Sequence, residues 1–506
     1  MHLDQAEVQK NFDNLRYRRQ FVLGPAWIEH LPSWRRVRVQ DDLYLSVHPD
    51  LELHQANKQH KMLILLGYIL DPNEPDANND DILNTLINKF ERYEEIFNHI
   101  NDFGGRWVLL VNDGKDTILF HDAAGLRQIY YAVSNEVWCA SETRLIANKL
   151  NLQIDSEAIA LTKSAEYRIS GVYWWPGDTS MYREIRALLP NHYFNVRLGT
   201  PHRYWPNKDL QVLSFQEGVE KSARLLRGLI KSAQARYDLA LSCTAGWDSR
   251  LMLAACKDVM EDMYCFTLTY PNYGKHARDL VIPTVLLKKL GFTLNVIQYA
   301  EKKSSEFNNI TEESIVSIDP EDSSDVQAMY EKYPQSRLCI SGDVAEITKC
   351  YYGMAGQTNH TIDAQTLANV TTMGTHPFAI KAYEDWLANV KPSNLKLLDL
   401  LCWEQMAGRW QARIRGKYDI VHESLAPYNC RSLLETMLAV DERFRQPPNY
   451  EFHKELIASL WREVLSEPIN PPEKKSLKFM IRDVLVKTNI YNLIPRKVIN
   501  YIKQRR

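Results

Sequence analysis

The sequence predicts an α+β front part followed by an α/β part on a parallel sheet, which ends in a helical stretch. Three observations carry this. Before Trp205, short apolar runs alternate with turn signals. After it, strand-like and helix-like segments alternate. From Leu397 to Leu465 the apolar spacing is almost wholly helical. At 506 residues the chain exceeds one ordinary core, and we divide it into 1–205, 206–470 and a tail, 471–506.

In the front part, strand-like runs fall at Leu43–Val47, Met62–Ile69, Trp107–Val111, Thr117–Phe120, Ile129–Ala132 and Val137–Ala140. Asp71–Pro72, Asn112–Asp113–Gly114 and Ser134–Asn135 separate them as turns. One helical pattern interrupts, Asp80–Phe97, with Ile82, Leu83, Leu86, Ile87, Phe90, Tyr93 and Ile96 at threes and fours. The second part reads as helix Val219–Arg236, strand Asp238–Ser242, helix from Asp248, strand Met263–Tyr270, helix Ala277–Leu290, strand Leu294–Ala300 and strand Arg337–Ser341. Such alternation argues a parallel sheet covered on both faces. Residues 300–335 are polar and read as an exposed excursion.

Hydrophobic residues at 45%, charged residues at 25% and a net charge of -2 describe an ordinary globular chain and give no reason to expect nucleic-acid binding. The apolar runs are too short to span a bilayer, and Met1–Gln20 is too polar for a signal peptide. Eight scattered cysteines without a Cys-x-x-Cys pair read as buried free thiols, and so as a cytoplasmic protein. Residues 473–506 hold ten Lys/Arg against Glu473 and Asp483, with apolar residues interleaved. That suits either an anionic surface, including peripheral membrane contact, or a basic helix packed on its own protein.

The chemistry-bearing segment is Asp238–Arg250, Asp-Leu-Ala-Leu-Ser-Cys-Thr-Ala-Gly-Trp-Asp-Ser-Arg. A buried strand enters a tight loop of small residues and a helix begins near Asp248. Loop amides and a helix N-terminus then point at one spot, as a polyphosphate requires. Thr244 and Ser249 add hydroxyls. Asp248 suits a phosphate site only with a divalent cation between the anions, and Mg²⁺ is the natural choice. A helix end capped by Asp and Ser, with no ligand, fits the same residues.

This loop resembles the Ser-Gly-Gly-x-Asp-Ser pyrophosphatase loop of the asparagine synthetase family, with Thr244 and Ala245 replacing serine and glycine. Cys339–Glu346, Cys-Ile-Ser-Gly-Asp-Val-Ala-Glu, resembles the family's strand followed by Ser-Gly-Glu-Gly-Ser-Asp. The resemblance implies ATP and Mg²⁺ as cofactors. It gives Ser242, Thr244, Ala245, Gly246, Asp248, Ser249, Leu268, Ser341 and Gly342 to the nucleotide. Asp248 and Glu346 fall to the metal, and Asp343 to the acidic position that assists attack. Lys454 becomes the lysine that stabilises charge on the attacked carbonyl.

The front part resembles class II glutamine amidotransferases, and so implies a β-sandwich. Phe120–Tyr131, Trp138–Glu142, Leu188–Tyr193 and Arg203–Trp205 match in order. In that family the nucleophile is an N-terminal cysteine whose own amine is the base. Here the sequence opens Met1–His2–Leu3, its first cysteine is Cys139, and Leu66–Gly67 stands where the family has Asn-Gly. The expectation is a domain that does not hydrolyse glutamine.

The resemblance as a whole implies a glutamine-independent, ATP-dependent amide-forming ligase. Its partners would be a small-molecule, glycan or peptide carboxylate and an amine acceptor. Sulfur-transfer chemistry on the same loop and a non-catalytic scaffold are the alternatives. Trp403, Glu404, Arg409, Trp410, Arg413 and Arg415 cluster where such a fold builds its substrate pocket.

Overall fold

The computed structural model describes residues 14–170, 173–270, 274, 276–299, 304–315, 324–353 and 359–471. The basic tail beyond 471 lies outside them. Strands in the front half are β1 (Phe21–Gly24), β2 (Arg35–Gln40), β3 (Leu43–Val47), β4 (Leu53–Lys58), β5 (Lys61–Leu70) and β6 (Gly104–Asn112). There follow β7 (Thr117–His121), β8 (Tyr130–Val133), β9 (Val137–Ala140), β10 (Ile185–Ala187), β11 (His192–Asn195) and β12 (Thr200–Arg203). They form two six-stranded sheets, ordered β10-β8-β9-β1-β3-β2 and β12-β11-β7-β6-β5-β4. Neighbouring strands in both are antiparallel.

Strand alternation explains the layering. Ile64 and Leu66 of β5 meet Phe21, Leu23, Leu45 and Val47 of the other sheet in a shared apolar core. Leu63, Leu65 and Ile69 point the other way, onto Ile82, Leu83, Leu86 and Ile87 of the Asn79–Lys89 helix. On the far side, Trp138 and Ala140 of β9 pack on Leu145 and Ile146 of a helix at Thr143–Leu150. The front half is therefore helix, sheet, sheet, helix. The Asp80–Phe97 pattern is two helices, Asn79–Lys89 and Tyr93–His99. Phe90 leaves the first in extended conformation to bury its ring. Glu95 then accepts from the amides of Glu91 and Arg92 and starts the second.

Later in the chain, β13 (Leu239–Ser242), β14 (Tyr264–Thr269), β15 (Asn295–Gln298), β16 (Leu338–Ile340) and β17 (Ser424–Leu425) make a parallel sheet ordered β15-β14-β13-β16-β17. The helix leading into β13, Phe215–Gln234, is capped by a reciprocal Ser214–Glu217 box. The described parts of this span, 304–315 and 324–335, correct the expected exposed excursion of residues 300–335. Helices Ser305–Ser314 and Ser324–Lys332 bury Phe307, Ile310, Val326 and Met329 against Ala240 and Phe266 of the sheet. Polar residues mislead there because partners satisfy them inside. Buried Asp325 accepts from Lys417 and from the Tyr418 hydroxyl.

The helical stretch runs through Leu397–Leu401, a π-helical segment at Cys402–Gln411 and Ala412–Tyr418. It ties the two halves together. Glu404, fully buried, accepts from Arg203 (2.8 Å), Asn191 (2.9 Å) and the Trp386 indole (2.8 Å). Arg106 bonds Asp419 at 2.8 Å and Glu423 at 3.0 Å, and Arg127 bonds Glu423 at 2.6 Å. All eight cysteines are buried and unpaired. Among the described residues no helix is long and apolar enough to cross a membrane.

Candidate functional site

Parallel pairing of β13 with β16, Leu241 beside Ile340, delivers Ser242 and Ser341 to the same end of the sheet. This is the carboxyl edge, where such sheets form their crevices. After β13 the chain makes a tight loop, and the helix Trp247–Ala255 begins with Gly246 as its N-cap. Thr244 and Ser249 join hydroxyls at 2.8 Å, and Ser249 Oγ accepts from the Thr244 amide at 3.1 Å. From beneath, buried Arg250 donates to the carbonyls of Val464 (2.7 Å), Glu467 (3.0 Å) and Pro468 (3.1 Å). The Asn470 amide donates to the Ala245 carbonyl at 2.9 Å.

After β16, Gly342 passes so close to Asp248 that an added Cβ would lie 2.6 Å from the Asp248 Cβ. Only glycine allows this approach. Val344 follows at φ +75, a costly conformation for a β-branched residue. Its amide donates to Gln411 Oε1 at 2.9 Å, while Gln411 Nε2 donates to Glu346 at 2.9 Å.

Lys349 completes the site. Its ammonium lies 2.7 Å from both Asp248 oxygens and 3.8 Å from Glu346. Burial opposes its charge, but Asp248 and Glu346 outweigh that and raise its pKa. Two carboxylates share this single cation. Burial, and then repulsion from Asp248, push Glu346 up to about 7. Tyr428 stands beside the pair, and its buried hydroxyl has no hydrogen-bond partner among the described residues.

Of the expected residues, Ser242, Thr244, Ala245, Gly246, Asp248, Ser249, Ser341, Gly342, Asp343 and Glu346 gather at these two strand ends. Asp343 is held by Ser341 and by an ion pair with Arg415, both at 2.9 Å. Leu268, half-buried, lies on the adjacent strand β14. Lys454 does not join them. It is exposed on the helix Glu451–Trp461, with no ion pair to the site's carboxylates among the described residues. In the pocket cluster, Trp403 and Arg409 are core, and Arg409 binds the Trp175 and Thr179 carbonyls.

Sequence reasoning missed Lys349, Gln411 and Tyr428. Lys349 left one signal, an acid–lysine pair three residues apart after the Ser-Gly-Asp turn. The residues that bear on a cation give a mixed fit. Asp248 and Glu346 match the one or two carboxylates that usually hold Mg²⁺ beside substrate phosphates. No group of three His, Cys, Asp or Glu among the described residues would hold an ion unaided.

A scan of protein-family models and a search of curated proteins each give no match. Among solved structures, the chain is 10% identical to the glutamine phosphoribosylpyrophosphate (PRPP) amidotransferase of B. subtilis complexed with ADP and GMP. That likeness covers 68% of this chain and 73% of that one, at a TM-score of 0.24. A structure described as the allosteric regulatory enzyme of purine biosynthesis is 11% identical over 61% of this chain and 76% of that one, at 0.25. Likeness at this level carries no functional argument.

Proposed function

We propose that this chain is an ATP-dependent carbon–nitrogen ligase that activates a carboxylate as an acyl-adenylate, releases pyrophosphate and uses an amine other than glutamine's amide. The observation that supports it is the meeting of Asp248, from the loop after β13, with the Ser341–Gly342–Asp343 turn and Glu346 after β16. A short loop and a helix start lie alongside. Asp248 and Glu346 would hold Mg²⁺, which when bound supplies positive charge to a departing pyrophosphate. Thr244 and Ser249 would orient phosphate oxygens, and β14 with Ser341 would line the adenosine. Asp343, fixed by Arg415, would take up a proton from the attacking amine. Cys139 offers no glutaminase nucleophile, since burial pushes its thiol pKa up and it lies in a core strand.

A second reading, a homologue without this chemistry, draws on specific contacts. Lys349 stands where a cation would bind. The loop amides of Ala245 and Gly246 are taken by Asp279 (3.0 Å) and Thr244 (3.2 Å). Pyrophosphate release from MgATP with a panel of carboxylates and amines decides between them. The ligase reading expects pyrophosphate, not orthophosphate, and a loss in Asp248→Asn of at least about a hundredfold. Unchanged release in that variant would remove the site from the chemistry. No release across the panel would favour the second reading.

A further inference from the structure

We propose that Lys349 is a catalytic lysine with two successive partners: it leaves Asp248 and Glu346 when a divalent cation enters, then holds phosphate oxygens at the 244–249 loop. This rests on the reading of Asp248 and Glu346 as the carboxylates that take Mg²⁺. At present the Lys349 ammonium lies between the two acids, 2.7 Å from each Asp248 oxygen and 3.8 Å from Glu346. Among the described residues no other lysine or arginine forms an ion pair with either acid.

An ammonium and a divalent ion cannot share the same oxygens, because like charges at contact distance repel strongly where water is scarce. The side chain, not the backbone, is free to give way. Buried Arg445 donates to the Thr348 carbonyl at 3.2 Å, and the Thr348 hydroxyl meets buried His453 at 3.0 Å. On the other side, the Cys350 carbonyl accepts from the Gly353 amide at 2.8 Å. Between these anchors the four-carbon stem of a lysine reorients by rotamer changes alone. Asp248 stands in the first turn of the helix that follows the loop, so an ammonium that releases it stays beside that loop.

The loop has need of such a donor. Three of its own amides are engaged, Thr244 with Ser249 Oγ (3.1 Å), Ala245 with Asp279 (3.0 Å) and Gly246 with Thr244 Oγ1 (3.2 Å). The charge count agrees. Ionised Asp248 and Glu346 against Lys349 leave one negative charge over. A divalent ion on the two acids neutralises them and turns Lys349 into a surplus positive charge, which suits an anion of the pyrophosphate class. In the ligase reaction the carboxylate oxygen bonds to the α-phosphorus as the bond from that phosphorus to the pyrophosphate oxygen breaks. Lys349 keeps its proton throughout and donates hydrogen bonds to the departing oxygens.

Calorimetry on the full chain tests this with two probes, Mn²⁺ alone and inorganic pyrophosphate in excess Mg²⁺. Lys349→Met and Lys349→Gln should each tighten Mn²⁺ and weaken pyrophosphate by about tenfold or more. The opposite signs are the signature. A lysine that only braces the fold would weaken both ligands when lost, and one that only blocks the metal would leave pyrophosphate unchanged or tighter. Lys349→Arg keeps the charge and should recover part of the pyrophosphate affinity. Pyrophosphate affinity within about twofold of the parent in both uncharged variants, or weaker Mn²⁺ binding in both, would overturn the proposal. A parent that binds neither probe would overturn it together with the metal reading of Asp248 and Glu346. The expected pair of shifts, without pyrophosphate release from MgATP, would uphold Lys349 as a polyphosphate ligand and remove the ligase reading alone.

Discussion

Glu423, just before β17, and Glu346, just after β16, are half-buried acids at opposite ends of the parallel sheet, and their surroundings push them in opposite directions. Around Glu423, three arginines serve two acids. Burial alone would raise its pKa, but Arg127, Arg106 and Arg19 outweigh it and hold the carboxyl down at about 2. Around Glu346, one lysine serves two acids, and the carboxyl rises to about 7. A cation-rich cluster is a closed joint between the two halves of the molecule. An acid-rich one retains a deficit that an incoming cation can fill. Counting opposite charges therefore separates the two clusters where exposure does not, since both acids are equally exposed, at 19%.

The comparison is most exposed at Glu423. Glu423→Ala should cost about 3–5 kcal/mol, because it strands buried arginines without their partner. Equilibrium denaturation measures it, and a loss below about 1 kcal/mol would show that the joint is not one. A smaller effect of opposite kind belongs to Lys349. Lys349→Met should let the full chain bind Mn²⁺, counted by the paramagnetic signal of the free ion, about tenfold more tightly than the parent, a gain of about 1.4 kcal/mol. Equal affinities would mean that the lysine does not compete for the carboxylates.

Smaller still is the pH effect of Glu346. Its folded pKa lies above the ordinary 4.5, so the stability it contributes is full below about 4.5 and is lost as pH rises through about 7. Glu346→Gln should therefore flatten the melting profile across that window and stabilise the protein by about 1 kcal/mol at pH 8. A profile parallel to that of the parent would contradict the shift. The smallest effect is expected at Lys454. Exposed as it is, Lys454→Met should leave pyrophosphate release within about twofold. A hundredfold loss would instead restore it as the lysine of the reaction.

Most strands of the parallel sheet were legible because buried parallel strands announce themselves. Asp238–Ser242, Met263–Tyr270 and Arg337–Ser341 fall within a residue or so of β13, β14 and β16. Strand β17 was not legible, since two residues, Ser424–Leu425, leave no periodic trace. That Asp248 and Glu346 would come together was readable from the small-residue turns that precede them. Lys349, by contrast, lies in a one-turn 3₁₀ segment, Ala345–Lys349, where periodicity says nothing. Lys454 is the converse case. Its place in sequence suggested a role, but the apolar stripe of its helix, Phe452, Leu456, Ile457 and Leu460, turns the lysine to solvent.

The brace beneath the 244–249 loop also sets an order of events. Arg250 is anchored on carbonyls 214 to 218 residues further along the chain. During synthesis at about 5–20 residues per second, roughly 10–40 s separate emergence of the loop from emergence of its support. The strands of the front half pair long before that. Contacts of such sequence separation are slow to close, so the crevice is among the last parts of the molecule to acquire its shape. A nascent chain would present a finished sandwich while the 244–249 loop was still unbraced.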